Sequence, residues 1–337
     1  MDKMENIELG HAGMRAPQLG FGCSAILGRS GRTDSLRALG IAWDEGIRFF
    51  DTARAYGYGE SETLLGEFLK GRRDQAVIAT KFGILAARQS GWKRIAKSVA
   101  RQILSVAPSA RTMLQKGAAT QFSSNQFTIA TLQTSIEESL RKLGTDCIDM
   151  LFLHAAPASV LEQYDLLEAM ARLVEKGTVR IAGLSAQPEV VELAVARQTE
   201  PLRAMQFPCN VFNISAPGIF GQWNESGYLL VANHPFGGPA RVRQCRDILL
   251  KLVESQTLDR VLCEKLGSLE NTVFADVVLN VVLRDSGIHI VIPAMMRPDH
   301  IRANVQAIAG SRFDSQEIAE IRRALANTQE RVAQPHR

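Results

Sequence analysis

Eight short apolar segments recur along this chain, separated by stretches whose apolar residues repeat at helical spacing. The segments are Leu19–Ala25, Arg48–Thr52, Gln75–Lys81, Ile148–His154, Val179–Ser185, Ala204–Cys209, Tyr228–Ala232 and Ile288–Ala294. Each is short for a helix, and most carry an unbroken apolar run instead of the alternation of a strand with one face in water. Unbroken apolar strands between helices form a parallel sheet covered on both faces. Eight such units predict an α/β fold of the (β/α)8 type, a TIM barrel. The expected helices are one capped by Thr33 or Asp34 and running through Trp43, then Ser61–Lys70, 128–143, Leu161–Lys176, Pro188–Arg197, one starting near Pro298, and a last, C-terminal one over 315–330. Residues 5–17 read as an N-terminal β-hairpin. An open, doubly wound sheet is the competing fold. It is disfavoured because the first strand runs Gly20-Phe-Gly22-Cys-Ser-Ala, without a dinucleotide-binding GxGxxG. No internal repeat beyond the βα unit and no Pro- or Ser-rich linker interrupts the pattern, so a single domain over 1–337 is expected.

Two segments exceed a minimal barrel. Residues 84–127 contain Arg88, Lys93, Arg94, Lys97, Arg101, Arg111 and Lys116 and no acidic residue. Ile95, Val99 and Ile103 fall four apart within it, as on an amphipathic helix. Three readings stand for this insertion: a solvated basic face over an apolar stripe, a lid for an anionic substrate, and contact with an anionic membrane surface. The second segment, 236–267, opens on the loop Phe236-Gly-Gly-Pro239 and continues into a helix. The net charge of +4 is too small to suggest a nucleic-acid partner. No stretch of about 18 apolar residues is free of charge, so no transmembrane segment is expected. The first ten residues, MDKMENIELG, carry no signal core, and the five cysteines form no CxxC pair. A cytoplasmic protein with reduced thiols and no bound metal is the expectation.

The strand ends carry the chemistry. Asp51 and Tyr56 follow the second strand, Lys81 ends the third and His154 ends the fourth. In a barrel these positions share one face, the face where such folds hold their sites. Singly, each has an ordinary structural reading: a solvated turn, an exposed lysine, a satisfied core histidine. Together they suit proton donation to an oxygen that gains negative charge. A phenol with pKa near 10 is a poor donor at neutral pH. A neighbouring ammonium favours phenolate and lowers that value, a carboxylate holds the ammonium charged, and an imidazole can position a carbonyl.

These residues and their context resemble the aldo-keto reductases over nearly the whole chain. The resemblance rests on Gly46-Ile-Arg-Phe-Phe-Asp51-Thr-Ala, Tyr56-Gly-Tyr-Gly-Glu-Ser-Glu62, Leu65-Gly66, Thr80-Lys81, Leu140-Arg-Lys-Leu-Gly-Thr-Asp146 leading to His154, Gly183-Leu-Ser185 and Ile292-Pro293. It implies a barrel closed at the bottom by the hairpin, with NAD(P)H extended across the top. It implies Tyr56 as general acid, Lys81 lowering its pKa, Asp51 paired with Lys81, and His154 orienting the carbonyl. On the cofactor side Ser185 matches the family pattern, but Ala186 replaces the usual Asn; Gln206 matches a carboxamide contact. Asn233 stands where an aromatic often stacks on the nicotinamide. After Ile292-Pro293 only Asn304 matches plainly; Ala294, Met295, His300 and Ala303 depart, and Arg297 or Arg302 would have to supply charge for a 2′-phosphate. NADP(H) is the expected cofactor, carried chiefly by Arg297, with NAD(H) as the alternative. The substrate class implied is a small aldehyde, ketone or sugar. The alternatives are an NAD(P)+-dependent sugar or alcohol dehydrogenase, and a cofactor-sensing regulatory barrel. The pocket wall is expected from 84–127 and 211–226, where Phe212, Phe220 and Trp223 either line the pocket or pack.

Overall fold

The computed structural model describes residues 4–10, 13–28, 30–86, 122–123, 125–213, 219–284 and 286–333. Strands β1 (Asn6–Leu9) and β2 (Met14–Pro17) pair antiparallel, as the hairpin pattern predicts. The barrel strands follow in chain order: β3 (Gly20–Gly22), β4 (Phe49–Asp51) and β5 (Val77–Phe82). A short antiparallel pair, β6 (Leu85–Ala86) and β7 (Phe122–Ser123), forms the base of the long insertion. Then come β8 (Ile148–His154), β9 (Val179–Ser185), β10 (Leu202–Pro208), β11 (Leu229–Asn233) and β12 (Ile290–Ile292). The eight barrel strands form one sheet in sequence order, all parallel. The ring closes where Leu19 bridges Val291 and Val291 N–H donates to Gln18 O at 2.8 Å. The fold is the expected (β/α)8 barrel with its N-terminal hairpin.

The helices are α1 (Arg32–Asp44), α2 (Ser61–Leu69), α3 (Ile129–Leu143), α4 (Tyr164–Glu175), α5 (Pro188–Ala196), α6 (Ile219–Glu225), α7 (Pro239–Glu254), α8 (Arg260–Leu266), α9 (Asn271–Leu283), α10 (Pro298–Ala309) and α11 (Ser315–Ala333). Apolar spacing explains the regular ones: α3 buries Leu132, Ile136 and Leu143, and Thr128 caps it by accepting from Thr131 N–H. Two expectations need correction. Helix α1 starts at Arg32 with Gly31 as its cap and no side-chain cap bond, so neither Thr33 nor Asp34 caps it. The stretch expected as one helix over Leu161–Lys176 is a 3-10 turn, Ala158–Glu162, followed by α4, which ends just before Gly177, in the left-handed region at φ 72°. Helix α9 has no counterpart in the sequence reading. It is buried along most of its length and so shows no polar face to give it a helical period.

Strand alternation sorts the core into inside and outside. Phe49, Val77, Ala79, Met150, Phe152, Ile181, Ala204, Leu229, Val231 and Ile290 fill the barrel interior, and Leu9, Met14 and Ala16 of the hairpin join them. The alternate residues, such as Phe50, Ile78, Leu151 and Leu153, pack against the helices. A separate apolar cluster joins α7, α8, α9 and α11. The seven basic residues of the insertion all lie outside the described residues. Among the described residues no helix is long and apolar enough to cross a membrane.

Candidate active site

The period of two along a strand decides which side chains reach the barrel mouth. Phe49 faces inward, so Asp51 does too. Ala79 implies Lys81, Phe152 implies His154, Ala204 implies Gln206, and Val231 implies Asn233. Ser185 has the parity of Ile181. Six polar groups therefore cap the apolar interior as its top layer.

Lys81 is 1% exposed, and its ammonium lies 2.7 Å from each carboxylate oxygen of Asp51 and 2.8 Å from Thr52 O. The Tyr56 side chain also hydrogen-bonds this ammonium, so its three donors are shared among Asp51, Thr52 and Tyr56. Tyr56 sits in the 3-10 turn Tyr56–Gly59. Gly57 and Tyr58 there take left-handed φ of 58° and 57°; glycine adopts this freely, whereas Tyr58 does so at a cost. That tight turn aims the phenol back over the mouth. The Lys81 nitrogen lies 5.0 Å from the Tyr56 ring centre, and the His154 ring stands edge-on to it at 5.7 Å. The four residues Asp51, Tyr56, Lys81 and His154 thus converge from three strands and one turn.

The electrostatics follow from burial and charge. Burial pushes the Tyr56 phenol up and Lys81 pulls it down, Asp51 adding a smaller push up; the balance stays above a phenol's ordinary value. The expected lowering by Lys81 is present but outweighed. Burial works against the Lys81 ammonium, yet Asp51 and then Tyr56 outweigh it and hold it charged. Burial, then the Lys81 charge, drives His154 down to about 3, so its ring is neutral at physiological pH. His154 Nδ1 is buried without a hydrogen-bond partner among the described residues. Such an atom is costly unless something else bonds it.

The predicted cofactor residues divide into two groups. Ser185 and Gln206, paired in register on neighbouring strands, belong to the same network as Asp51 and Lys81. Ser185 Oγ donates to Gln206 Oε1 at 2.7 Å, and Gln206 Nε2 donates to Asp51 Oδ1 at 2.8 Å. Asn233 closes the same layer, and its Oδ1 is buried with no partner among the described residues. An amide N–H from a ligand would satisfy it, which suits a nicotinamide carboxamide. The second group lies at α10. Arg297 is the N-cap residue, followed by Pro298, and its guanidinium forks onto Asp299, with Nε to Oδ1 at 3.1 Å and Nη2 to Oδ2 at 2.6 Å. Arg302 Nε pairs with Glu45 at 3.1 Å. Asn304 is buried, its Nδ2 donating to Met295 Sδ at 3.3 Å. A helix N-terminus with a cationic cap suits a phosphate, so the donor set fits both ends of a nicotinamide dinucleotide phosphate.

One feature escaped the sequence reading. His234 follows Asn233 with φ 51°; burial lowers its pKa and Asp51 pulls it back up, so it lies within the field of the site. Its only sequence signal was its place just past a strand end. Of the aromatics expected near the pocket, Phe220 and Trp223 pack on Phe207, with ring centres 5.0 and 6.0 Å away. Phe212 stacks under Arg241.

A family model described as the aldo/keto reductase family matches residues 18–326. Aldo-keto reductase YhdN of Bacillus subtilis is 30% identical over 215 residues, 62% of this chain and 55% of that protein. Aldo-keto reductase yakc [NADP(+)] of Schizosaccharomyces pombe is 26% identical over 231 residues, 66% of this chain and 58% of that protein. D-threo-aldose 1-dehydrogenase of a Pseudomonas species is 33% identical over 184 residues, 51% of each. The chain thus spans little more than half the length of these curated relatives. Among solved structures, aldo-keto reductase AKR11C1 from Bacillus halodurans (holo form) superposes with a TM-score of 0.68 at 21% identity, covering 95% of this chain and 96% of that one.

Proposed function

The chain belongs to the aldo/keto reductase family, and on that premise we propose that it reduces a small aldehyde or ketone with NADPH, Tyr56 serving as the general acid. The observation that carries the reading is the buried Asp51–Lys81 ion pair set beside a phenol and a neutral imidazole at the barrel mouth. The nicotinamide, when bound, supplies the hydride chemistry. The chain's own groups handle the oxygen. His154, neutral at physiological pH, hydrogen-bonds the substrate carbonyl and fixes its direction. Tyr56 Oη gives its proton to the oxygen as negative charge develops there. The Lys81 ammonium favours the phenolate that results, and Asp51, itself held by Gln206, keeps Lys81 in place. Asn233 and Gln206 would hold the carboxamide end of the dinucleotide, while Arg297 and the first turn of α10 would hold its 2′-phosphate. The fission-yeast relative, named with NADP(+), supports this cofactor.

The relative named D-threo-aldose 1-dehydrogenase favours a second reading, in which the same site oxidises a sugar and Tyr56, as phenolate, accepts the proton. The test is a panel of aliphatic and aromatic aldehydes, ketones and aldoses. Each is assayed with NADPH and NADH, or with their oxidised forms, and followed by the near-ultraviolet absorbance of reduced nicotinamide. Turnover of a carbonyl with NADPH supports the proposal. Turnover confined to aldoses with an oxidised cofactor supports the second reading, and no turnover with any member contradicts both.

A further inference from the structure

Behind the mouth residues lies a second cluster of buried charge. Glu62, on the first turn of α2, is 1% exposed. Its Oε1 accepts from Thr80 Oγ1 at 2.8 Å and from Ser139 Oγ on α3 at 2.6 Å. Its Oε2 lies 3.8 Å from Arg54 Nε. Arg54 also pairs with Glu138 of α3 and keeps only 9% of its side chain exposed. These partners stand on either side of the site. Thr80 is the residue before Lys81, and Arg54 lies between Asp51 and Tyr56. The Arg54 backbone N–H also reaches Lys81 O at 3.5 Å. Two further bonds hold the same turn: Thr52 Oγ1 with Ser61 Oγ at 2.9 Å, and Lys142 Nζ of α3 to Gly59 O at 2.8 Å.

A buried charge cluster is a costly way to fill space. Apolar residues of similar volume would pack there at equal or lower free energy. The arrangement is also not fully satisfied: Arg54 Nε and Nη1 and Glu62 Oε2 have no hydrogen-bond partner among the described residues. What the cluster provides is direction. A single carboxylate bonds the strand that carries Lys81 and attracts the loop that carries Tyr56, with α3 as the fixed support. We propose that Glu62 and Arg54 are positioning residues, a clamp that sets the Tyr56 turn against the Lys81 strand and so fixes the distance between proton donor and ammonium. Misplacing a donor by about 1 Å can cost roughly 100-fold in rate, so a clamp of this kind acts on turnover more than on binding. The inference rests on the reading of Tyr56 as proton donor.

The test compares Glu62→Gln, Arg54→Met and Arg54→Lys with Tyr56→Phe in the full chain. Each variant is assayed with NADPH and benzaldehyde, or with the fastest carbonyl of the panel, and by hydrogen–deuterium exchange of the protein alone. The clamp predicts that Glu62→Gln and Arg54→Met lose about tenfold or more in kcat, with KM and NADPH Kd within about threefold, while Arg54→Lys recovers most of the loss. Amide exchange should quicken in residues 53–60 and not across the barrel. Unchanged kcat, or a loss that tracks faster exchange throughout the barrel, overturns the clamp. Should Glu62→Gln fail to fold, Thr80→Val, which removes one bond to the carboxylate, must show the same split between kcat and KM. Full activity in Tyr56→Phe overturns the proton-donor reading and the clamp with it; loss in Tyr56→Phe with full activity in Glu62→Gln and Arg54→Met overturns the clamp alone.

Discussion

At the scale of single residues, a neutral histidine buried beside an ammonium ties stability to pH. His154 has a folded pKa of about 3 against an ordinary value of 6.5. Between those values the unfolded chain binds a proton there and the folded chain does not, so stability falls as pH drops below 6.5. The contribution lost between pH 7 and pH 5 is about 2 kcal/mol. Urea unfolding at the two pH values should show wild type losing that much more than His154→Gln; equal losses would mean the histidine is not held neutral. The Asp51–Lys81 pair gives a second prediction. Lys81→Met leaves a buried carboxylate uncompensated and should cost roughly 3–5 kcal/mol, whereas Lys81→Met combined with Asp51→Asn should recover part of it. Denaturation curves of the single and double variants check this. The four residue types and their strand-end places were legible in the sequence. The Gln206–Asp51 bond was not, because 155 residues separate its partners and only closure of the ring brings them together.

At the scale of elements, α2 and α3 meet at Gly66. A Cβ built there would lie 2.3 Å from Lys142 O and 2.8 Å from Leu143 C, both backbone atoms. Gly66→Ala must push the helices apart and should destabilise by about 1–3 kcal/mol or more, read as a shift in the denaturation midpoint. A neutral result would mean that the two helices separate freely. The N-terminus of α10 bears on cofactor choice. Arg297 already forks onto Asp299, so a phosphate would have to share or displace that carboxylate. Arg297→Ala should weaken NADPH binding by about tenfold or more while leaving NADH nearly unchanged, and Asp299→Asn should strengthen NADPH. Equal weakening of both cofactors by Arg297→Ala would put the arginine on their common part. Elements with one buried face, such as α3 and α4, announce themselves by period. Helix α9 does not: Val277, Val278, Val281 and Val282 are all buried, and its buried polar residues Asp276 and Asn280 bond Ser311 and Ala307 O. Such a helix leaves composition but no period for a reader to find.

At the scale of the whole molecule, the barrel explains why residues spread from Asp51 to Asn233 act as one layer. The parallel strands all end at one rim, and on six of them an inward-facing residue past the interior apolar ones becomes part of the mouth. The alternation of strands and helices made that architecture legible, down to the hairpin. The pocket wall was not, since aromatics such as Phe220 and Trp223 satisfy packing and lining patterns equally well until their neighbours are known. Single-turnover kinetics of Tyr56→Phe test most directly whether this layer donates a proton from Tyr56 during carbonyl reduction. With NADPH prebound and the carbonyl in excess, the variant should bind NADPH as wild type does yet consume it about 10²- to 10⁴-fold more slowly. A rate within about tenfold of wild type would contradict the account.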